Sequence, residues 1–231
     1  MKPHHKLAET KTPNGGHLTL HEHDGTYCIR LDGIDLMHSH TSASEVLLGE
    51  IAADQFSSAA RNAILISGLG LGYTLKGALG KAGPNATFDV VELMPEIVAW
   101  NREHMRGLNG ALLDHPRVNV LVRDVLQVIA KAKPDHYSAI LLDIDNGPTA
   151  MVKETNQGLY DRGGLQRIWR ALEPGGKAAI WSAREDLAFE KRFSASGFTV
   201  ERVGAKLYPT AKRSTYTIYV GTKNEPPSFR G

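Results

Sequence analysis

The chain has 231 residues, 42% of them hydrophobic, and its 27 basic and 25 acidic residues give a formal net charge of +2. This length supports one sizeable core, and the charge lacks the strong positive bias that is typical of dedicated nucleic-acid binders. No apolar run approaches the roughly 20 residues of a transmembrane helix. Cys28 is the single cysteine, so no intrachain disulfide can form. We therefore expect a cytoplasmic α/β protein with no nucleic-acid or membrane partner.

Short alternating runs mark the N-terminal part of the sequence. They are interrupted at Asp24-Gly25 and Asp32-Gly33, and Asp-Gly is a preferred pair for tight hairpin turns. Residues 1–40 are therefore predicted to form a leader and a small antiparallel β meander. Residues 41–223 are predicted to form the main domain, which begins with a helix, and the Pro-containing segment 224–231 a loosely ordered tail.

From residue 63 onward, apolar runs alternate with helix-like or polar segments. This alternation predicts a parallel sheet with helices on both faces, which is a Rossmann-like α/β fold. The last two runs are separated by a connection too short for a helical crossover, so they should pair antiparallel near the C-terminus. The runs are "AILIS", "FDVVEL", "VNVLV", "AILLDI" and "AAIWSA", followed by "FTVERV" and "TYTIYVGT".

A glycine-rich loop, "GLGLG", follows the first run of this alternating part. Gly68, Gly70 and Gly72 leave the backbone bare at a strand-to-helix turn, where N–H groups and the helix dipole favour ligand binding. Glu92 comes 20 residues after Gly72, at the end of the next run, where a carboxylate can accept hydrogen bonds from both ribose hydroxyls. Without the acid, the glycines are equally typical of an ordinary tight turn.

Asp124 ends the third apolar run and has two interpretations. A carboxylate at this strand end can accept a hydrogen bond from an exocyclic amine such as that of adenine. The same side chain can cap the helix predicted for "VLQVIAKA". Together with the glycine loop and Glu92, Asp124 describes a nucleoside clamp at three consecutive strand ends.

In their order and spacing, these motifs resemble the class I S-adenosylmethionine-dependent methyltransferase fold, and more closely its spermidine synthase branch. The resemblance covers roughly residues 30–223. It is carried by "LDGIDLM", "GLGLG", "VVELMPEIV", "VRDV", "YSAILLDIDNGPTA", "GLYDRGGLQRIWRALEPGG" and "LYPTAKRSTYTIYVGTK".

The resemblance implies an S-adenosylmethionine or decarboxylated S-adenosylmethionine site, a small-molecule amine acceptor and a possible homodimer. A protonated amine must be bound, deprotonated and aimed, and paired carboxylates suit that task. His40, beside the expected acceptor mouth, is a further candidate for orienting substrate. The candidate residues are Gly68, Gly70, Gly72, Glu92, Asp124 and Val125 for the donor, Asp143 and Asp145 for catalysis, and Tyr208 and His40 for the acceptor.

Several departures from the spermidine synthase pattern leave the reaction open. Leu71 stands where that branch has an aspartate for the amino group of the decarboxylated donor, and Ala43 stands about where it has a tyrosine. We therefore expect methyl transfer to a small amine, with aminopropyl transfer as the alternative. A dinucleotide-binding dehydrogenase or a non-catalytic sensor is the alternative of another class. The histidine pairs His21/His23 and His38/His40 lack an obvious completing ligand, so no metal site is expected.

Overall fold

The computed structural model describes residues 5–53, 62–144 and 157–224, and its strands form two sheets. The first is an antiparallel meander in the order β1-β2-β3-β4. Asp24 and Asp32 have φ values of 52° and 51°, and a left-handed glycine follows each, so the two predicted hairpin turns form. The strands are β1 (His5–Lys11), β2 (His17–His23), β3 (Thr26–Leu31) and β4 (Ile34–His38).

The second sheet contains the remaining strands and has helices between them. Its strands are β5 (Ala63–Ser67), β6 (Thr87–Glu92), β7 (Val118–Val122), β8 (Tyr137–Leu142), β9 (Leu172–Ser182), β10 (Phe198–Ala205) and β11 (Tyr216–Lys223). The helices are α1 (Ala43–Ala53), α2 (Tyr73–Lys81), α3 (Pro95–Glu103), α4 (Val125–Lys131), α5 (Gln157–Tyr160), α6 (Arg162–Ala171) and α7 (Leu187–Ala195), with a 3-10 helix at Gly110–Asp114.

The strand order of the second sheet, β10-β11-β9-β8-β5-β6-β7, confirms the predicted fold class. Strands β5 to β9 run parallel, and β11 pairs antiparallel with both β9 and β10. The carboxyl ends of β5, β6, β7 and β8 therefore meet at one edge of the sheet, in the order β8-β5-β6-β7. The predicted donor residues follow these strand ends.

Two segments differ from the sequence-based expectation. Residues 5–11, predicted as part of a leader, form β1, an edge strand whose side chains are largely exposed and carry little apolar signal. The "LEPGG" segment, which precedes the predicted run "AAIWSA", lies inside β9. The pairing of β8 with β9 jumps from Tyr137–Leu172 to Ala139–Lys177, and this irregularity contains Gly175, with φ of 76°.

Helices α1 and α2 cross at backbone contact distance. A Cβ atom on Gly49 would lie 2.2 Å from the Thr74 carbonyl oxygen, and one on Gly77 would lie 2.2 Å from the Val46 carbonyl oxygen. No side chain fits at either position, so the two glycines allow the close approach. This crossing joins residues 46–49 of α1 to residues 74–78 of α2, the helix that directly follows the glycine loop.

The apolar face of the meander packs on the main sheet. Leu18, Leu20 and Ile29 are buried in the same hydrophobic cluster as Ile66 and Leu75 of the main sheet and its helices. The opposite face of the meander is polar. Within the described ranges, no helix is long and apolar enough to cross a membrane.

Candidate functional site

The glycine loop between β5 and α2 has a left-handed backbone at each of its three glycines. The φ angles of Gly68, Gly70 and Gly72 are 88°, 49° and 82°. A Cβ atom on Gly68 would lie 2.0 Å from the Asp143 carbonyl oxygen, and one on Gly70 would lie 2.8 Å from the Met37 sulfur. The backbone angle and the fixed carbonyl oxygen therefore both require glycine at position 68, whereas at position 70 the left-handed backbone angle is the main reason, because the Met37 side chain can move.

Glu92, at the end of β6, binds the backbone of this loop. Its Oε2 accepts a hydrogen bond from the Leu69 N–H, and its Oε1 accepts one from the Met94 N–H, each at 2.9 Å. Burial raises the pKa of Glu92, and the backbone N–H groups partly oppose that shift by stabilising the carboxylate. The predicted contact with ribose stays a prediction, and the hydrogen bond to the Leu69 N–H adds a second task for the same carboxylate.

Asp124 follows β7 and caps α4. Its Oδ1 accepts a hydrogen bond from the Leu126 N–H at 2.8 Å, which confirms the helix-cap interpretation of this residue. Val125, the first residue of α4, is buried. Because β7 neighbours β6, Asp124 lies at the same edge of the sheet as Glu92. One carboxylate oxygen can cap a helix while the other contacts a ligand, so the predicted adenine contact is compatible with the cap.

Asp143, at the end of β8, lies against the glycine loop. Its N–H donates to the Ser67 carbonyl oxygen at 2.9 Å, and its Oδ2 accepts a hydrogen bond from the Thr74 hydroxyl at 2.5 Å. The carboxylate is therefore held beside the first turn of α2. Asp145, the second predicted catalytic acid, lies outside the described residues.

Sequence reasoning missed a carboxylate with aromatic neighbours at the same edge. Burial raises the pKa of Glu45, and its negative charge contributes to the raised pKa values of Tyr73 and Tyr216, for both of which burial is the main cause. The ring of Tyr216 lies 4.8 Å from that of Trp181. Tyr73 directly follows the glycine loop, and Trp181 lies at the end of β9. The only sequence signal was the position of these aromatic residues at element ends.

The two predicted acceptor residues make local contacts. His40 Nε2 is 2.9 Å from the Thr26 hydroxyl, and the His40 ring stacks on His38 with centroids 5.5 Å apart. These contacts place His40 in a groove on the polar face of the meander that His21 and His23 also line. Tyr208 is 45% exposed in the connection between β10 and β11. Acceptor binding by His40 and Tyr208 stays a prediction.

The described part of the chain contains no group of three or more His, Cys, Asp or Glu side chains arranged to hold a metal ion.

No family model matches the sequence. Among curated proteins, polyamine aminopropyltransferase 2 of Pseudomonas aeruginosa is 28% identical over 149 residues, which are 63% of this chain and 40% of that protein. Polyamine aminopropyltransferase of Mycobacterium tuberculosis is 29% identical over 119 residues, 51% of this chain and 22% of that protein. The matches thus span less than half the length of these curated relatives.

Solved structures match over nearly the whole chain. A spermidine synthase in complex with the transition state analogue AdoDATO has a TM-score of 0.75 at 16% identity, covering 96% of this chain and 75% of the other. The spermidine synthase of Thermotoga maritima has a TM-score of 0.69 at 17% identity, covering 96% and 74%. The chain has a spermidine synthase-like fold. The predicted resemblance to that branch is confirmed at this level.

Within this spermidine synthase-like fold, the departures seen in the sequence have structural counterparts. Leu71 as a whole residue is 4% exposed and its side chain belongs to the core, so at this position the glycine loop offers backbone groups rather than a charge. Asp35, in the "LDGIDLM" segment, accepts a hydrogen bond from Arg30 Nε at 2.7 Å. Ala43 is the first residue of α1.

Proposed function

We propose that the protein is an aminopropyltransferase that moves an aminopropyl group from decarboxylated S-adenosylmethionine to a small amine. The relatives that carry polyamine aminopropyltransferase names and the spermidine synthase-like fold support this function over methyl transfer. The observation that carries the proposal is the position of Asp143, whose carboxylate is held against the glycine loop by Thr74. An anion at this point suits a cationic amine substrate.

We divide the sheet edge into a half that binds the donor and a half that binds the acceptor, following the strand order. The ends of β5, β6 and β7 present Gly68, Glu92 and Asp124, which we assign to the nucleoside part of the donor. The ends of β8 and β9 and the start of β11 lie on the other side of the glycine loop. We assign the amine acceptor to this second half, next to Asp143 and the cluster around Glu45.

The transfer is a nucleophilic substitution at carbon. The lone pair of the neutral acceptor amine attacks the CH2 carbon bonded to the sulfonium, the new C–N bond forms as the C–S bond breaks, and the sulfonium becomes a neutral thioether. The new ammonium then loses one proton. Asp143 binds the protonated acceptor and orients it, and it accepts the proton that this amine must lose before the attack. Asp145 is proposed as the second acid only from the resemblance.

Methyl transfer from intact S-adenosylmethionine is the second candidate, and one observation favours it. Leu71 is buried in the core, so the loop lacks the acid that the spermidine synthase branch uses for the amino group of the decarboxylated donor. Intact S-adenosylmethionine carries a carboxylate, which an aspartate at this position would repel and which backbone N–H groups can hold.

The products distinguish the two reactions. Each donor is incubated with the protein and a series of mono-, di- and polyamines, and the nucleoside product is identified by mass spectrometry. Aminopropyl transfer yields methylthioadenosine, whereas methyl transfer yields S-adenosylhomocysteine. We expect methylthioadenosine with the decarboxylated donor and a diamine. S-adenosylhomocysteine would establish the second candidate, and the absence of both products with every amine would refute transfer of either group.

A matched pair of variants tests the role of Asp143. Asp143→Asn keeps the side-chain shape and an acceptor for Thr74 but removes the charge, so kcat/KM for the amine should fall about 100-fold or more. Glu201→Gln removes the charge of an exposed carboxylate on β10 and should leave kcat/KM unchanged. Equal activity of the two variants would remove Asp143 from the catalytic site.

A further inference from the structure

Two buried asparagines donate hydrogen bonds to backbone carbonyl oxygens of the glycine loop. Asn101, on α3, donates from Nδ2 to the Gly70 carbonyl oxygen at 2.9 Å and to the Ile97 carbonyl oxygen at 2.9 Å. Asn109, which precedes the 3-10 helix, donates from Nδ2 to the Leu71 carbonyl oxygen at 2.8 Å. Asn101 is 0% and Asn109 is 4% exposed. Neither residue was a site candidate in the sequence.

The orientation of the Asn101 amide is fixed by its partners. Both groups within hydrogen-bond distance of its Nδ2 are carbonyl oxygens, which only accept, so the amide nitrogen must face them. The Oδ1 atom of Asn101 is then buried with no hydrogen-bond partner among the described residues. An unpaired buried acceptor is unfavourable, so this amide does not contribute to folding in the way that a fully satisfied one does.

The backbone N–H groups of the loop differ in whether they have a hydrogen-bond acceptor. Gly68 donates to the Val91 carbonyl oxygen at 2.9 Å, Leu69 donates to Glu92, and Gly72 donates to the Leu69 carbonyl oxygen at 2.7 Å. The Gly70 N–H also lies in the hydrogen-bonding environment of Glu92. In contrast, the Leu71 N–H donates to no described residue.

The geometry of the peptide bond links Asn101 to this N–H group. In a planar trans peptide, the C=O and the following N–H point in opposite directions. When Asn101 holds the Gly70 carbonyl toward α3, the Leu71 N–H must therefore point away from α3. Asn109 holds the next peptide through its Leu71 carbonyl, and the Gly72 N–H holds the other end of that peptide. The loop can then turn neither peptide without losing a buried hydrogen bond.

We propose that Asn101 and Asn109 are positioning residues for the donor: they fix the loop so that the Leu71 N–H is aimed at a hydrogen-bond acceptor of the bound nucleoside. This inference rests on the proposed function, because it assumes that the loop binds a nucleoside donor. Binding then requires no reorganisation of the loop. Leu71, whose side chain belongs to the core, contributes to the donor site through its backbone N–H.

Titration calorimetry of the full chain with S-adenosylmethionine, its decarboxylated form and methylthioadenosine tests the proposal. Asn101→Leu keeps the approximate volume but removes both hydrogen bonds, so Kd for the tightest of the three should rise about tenfold. The KM for the amine should stay within twofold of the wild type, because the acceptor half is untouched. Asn119→Leu, which removes an exposed amide that bonds to Asp89 on the far part of the sheet, should leave both constants unchanged.

The outcomes separate this inference from the proposed function. If the wild type binds none of the three nucleosides, both fail. If the wild type binds one of them and folded Asn101→Leu binds it equally well, the positioning role is refuted and the proposed function stands. A lower melting temperature with an unchanged Kd would likewise show that Asn101 is only structural.

A measurement on the wild type alone keeps the proposal testable should Asn101→Leu not fold. In nitrogen-15 NMR spectra, the Leu71 amide should exchange faster than the Gly72 amide in the free protein and become protected when the nucleoside is added. The Gly72 amide, which is already hydrogen-bonded, should be protected in both states. A Leu71 amide whose exchange rate and chemical shift do not respond to a nucleoside that binds would overturn the proposal.

Discussion

Removing the Glu92 carboxylate should affect both the glycine loop and donor binding. Two backbone N–H groups at 2.9 Å, those of Leu69 and Met94, lose their charged acceptor in Glu92→Ala. If ribose also donates to this carboxylate, the lost binding energy is about 1.5 to 3 kcal/mol, which is a ten- to hundredfold rise in Kd. The variant Glu103→Ala, which removes an exposed carboxylate at the end of α3, should bind the donor like the wild type.

The effect of Glu92→Ala on stability has two opposing parts. Leaving two N–H groups without an acceptor costs about 1 to 3 kcal/mol for each group that water cannot reach. Relief of the buried charge, whose cost appears as the raised pKa of Glu92, offsets part of this loss. We expect a net decrease of about 2 kcal/mol in the free energy of unfolding at pH 7, measured by urea denaturation.

The pH dependence gives the sign of the Glu92 contribution. Because burial raises its pKa above 4.5 in the folded state, the stability that Glu92 contributes is fully present below pH 4.5 and is lost as the pH rises through the folded pKa. The stability of the wild type relative to Glu92→Gln should therefore decline from pH 4 toward pH 7. Unchanged donor affinity in folded Glu92→Ala, or a relative stability that rises over this pH range, would refute the reasoning.

Three further predictions concern other parts of the fold. Gly68→Ala combines a φ of 88° with a Cβ 2.0 Å from a carbonyl oxygen, so it should destabilise the fold by about 3 kcal/mol or more. Gly80→Ala, at an open position of α2, should stabilise the fold by about 0.5 to 1 kcal/mol. Equal melting temperatures of the two variants would contradict both expectations. Burial raises the pKa of Cys28 from 9.0 to about 11, so iodoacetamide should alkylate native Cys28 at pH 8 about 100-fold more slowly than urea-unfolded Cys28. Light scattering should show a homodimer at micromolar concentration, and a monomer would refute this expectation.

The fold was predictable where local signals were strong. Asp24-Gly25 and Asp32-Gly33 determine their turns by themselves, and apolar runs that are buried on both faces mark parallel strands without tertiary information. In contrast, β1 is visible only through its pairing with β2, because an exposed edge strand has no apolar periodicity to detect. The start of β9 similarly depends on the register with β8, where Gly175 lies in the irregular segment.

The site was predictable to the extent that topology places strand ends together. Gly68, Glu92 and Asp143 lie at the ends of three adjacent strands, so a correct strand order brings them to one edge. Asn101 and Asn109 could not be found in this way, because an amide that bonds to a backbone carbonyl depends on how α3 and the 3-10 helix pack on the loop. Polar residues within mostly apolar segments are the only signal that the sequence offers for such contacts.

The burial of Leu71 decides where the charge that selects the donor must come from. A direct test by Leu71→Asp would place a carboxylate in the core, and the cost of burying it would obscure any change in selectivity. The loop backbone is neutral, so under the proposed function an acid outside the loop must recognise the ammonium at the end of the decarboxylated donor. Asp143 is the described acid whose backbone contacts Gly68 and whose carboxylate contacts Thr74.

Asp143→Asn should therefore weaken binding of decarboxylated S-adenosylmethionine more than binding of the intact form, by about tenfold in the ratio of the two Kd values. In the decarboxylated donor the lost attraction acts on a lone ammonium, whereas the carboxylate of the intact donor already neutralises its neighbouring ammonium. Calorimetric titration of both donors into the wild type and the variant measures this ratio directly. Unchanged Kd values for both donors would show that Asp143 acts on the acceptor alone, and an equal loss for both would show that it supports a part that the two donors share. In either case the selecting acid would have to be sought at Glu45 or in the segment that contains Asp145.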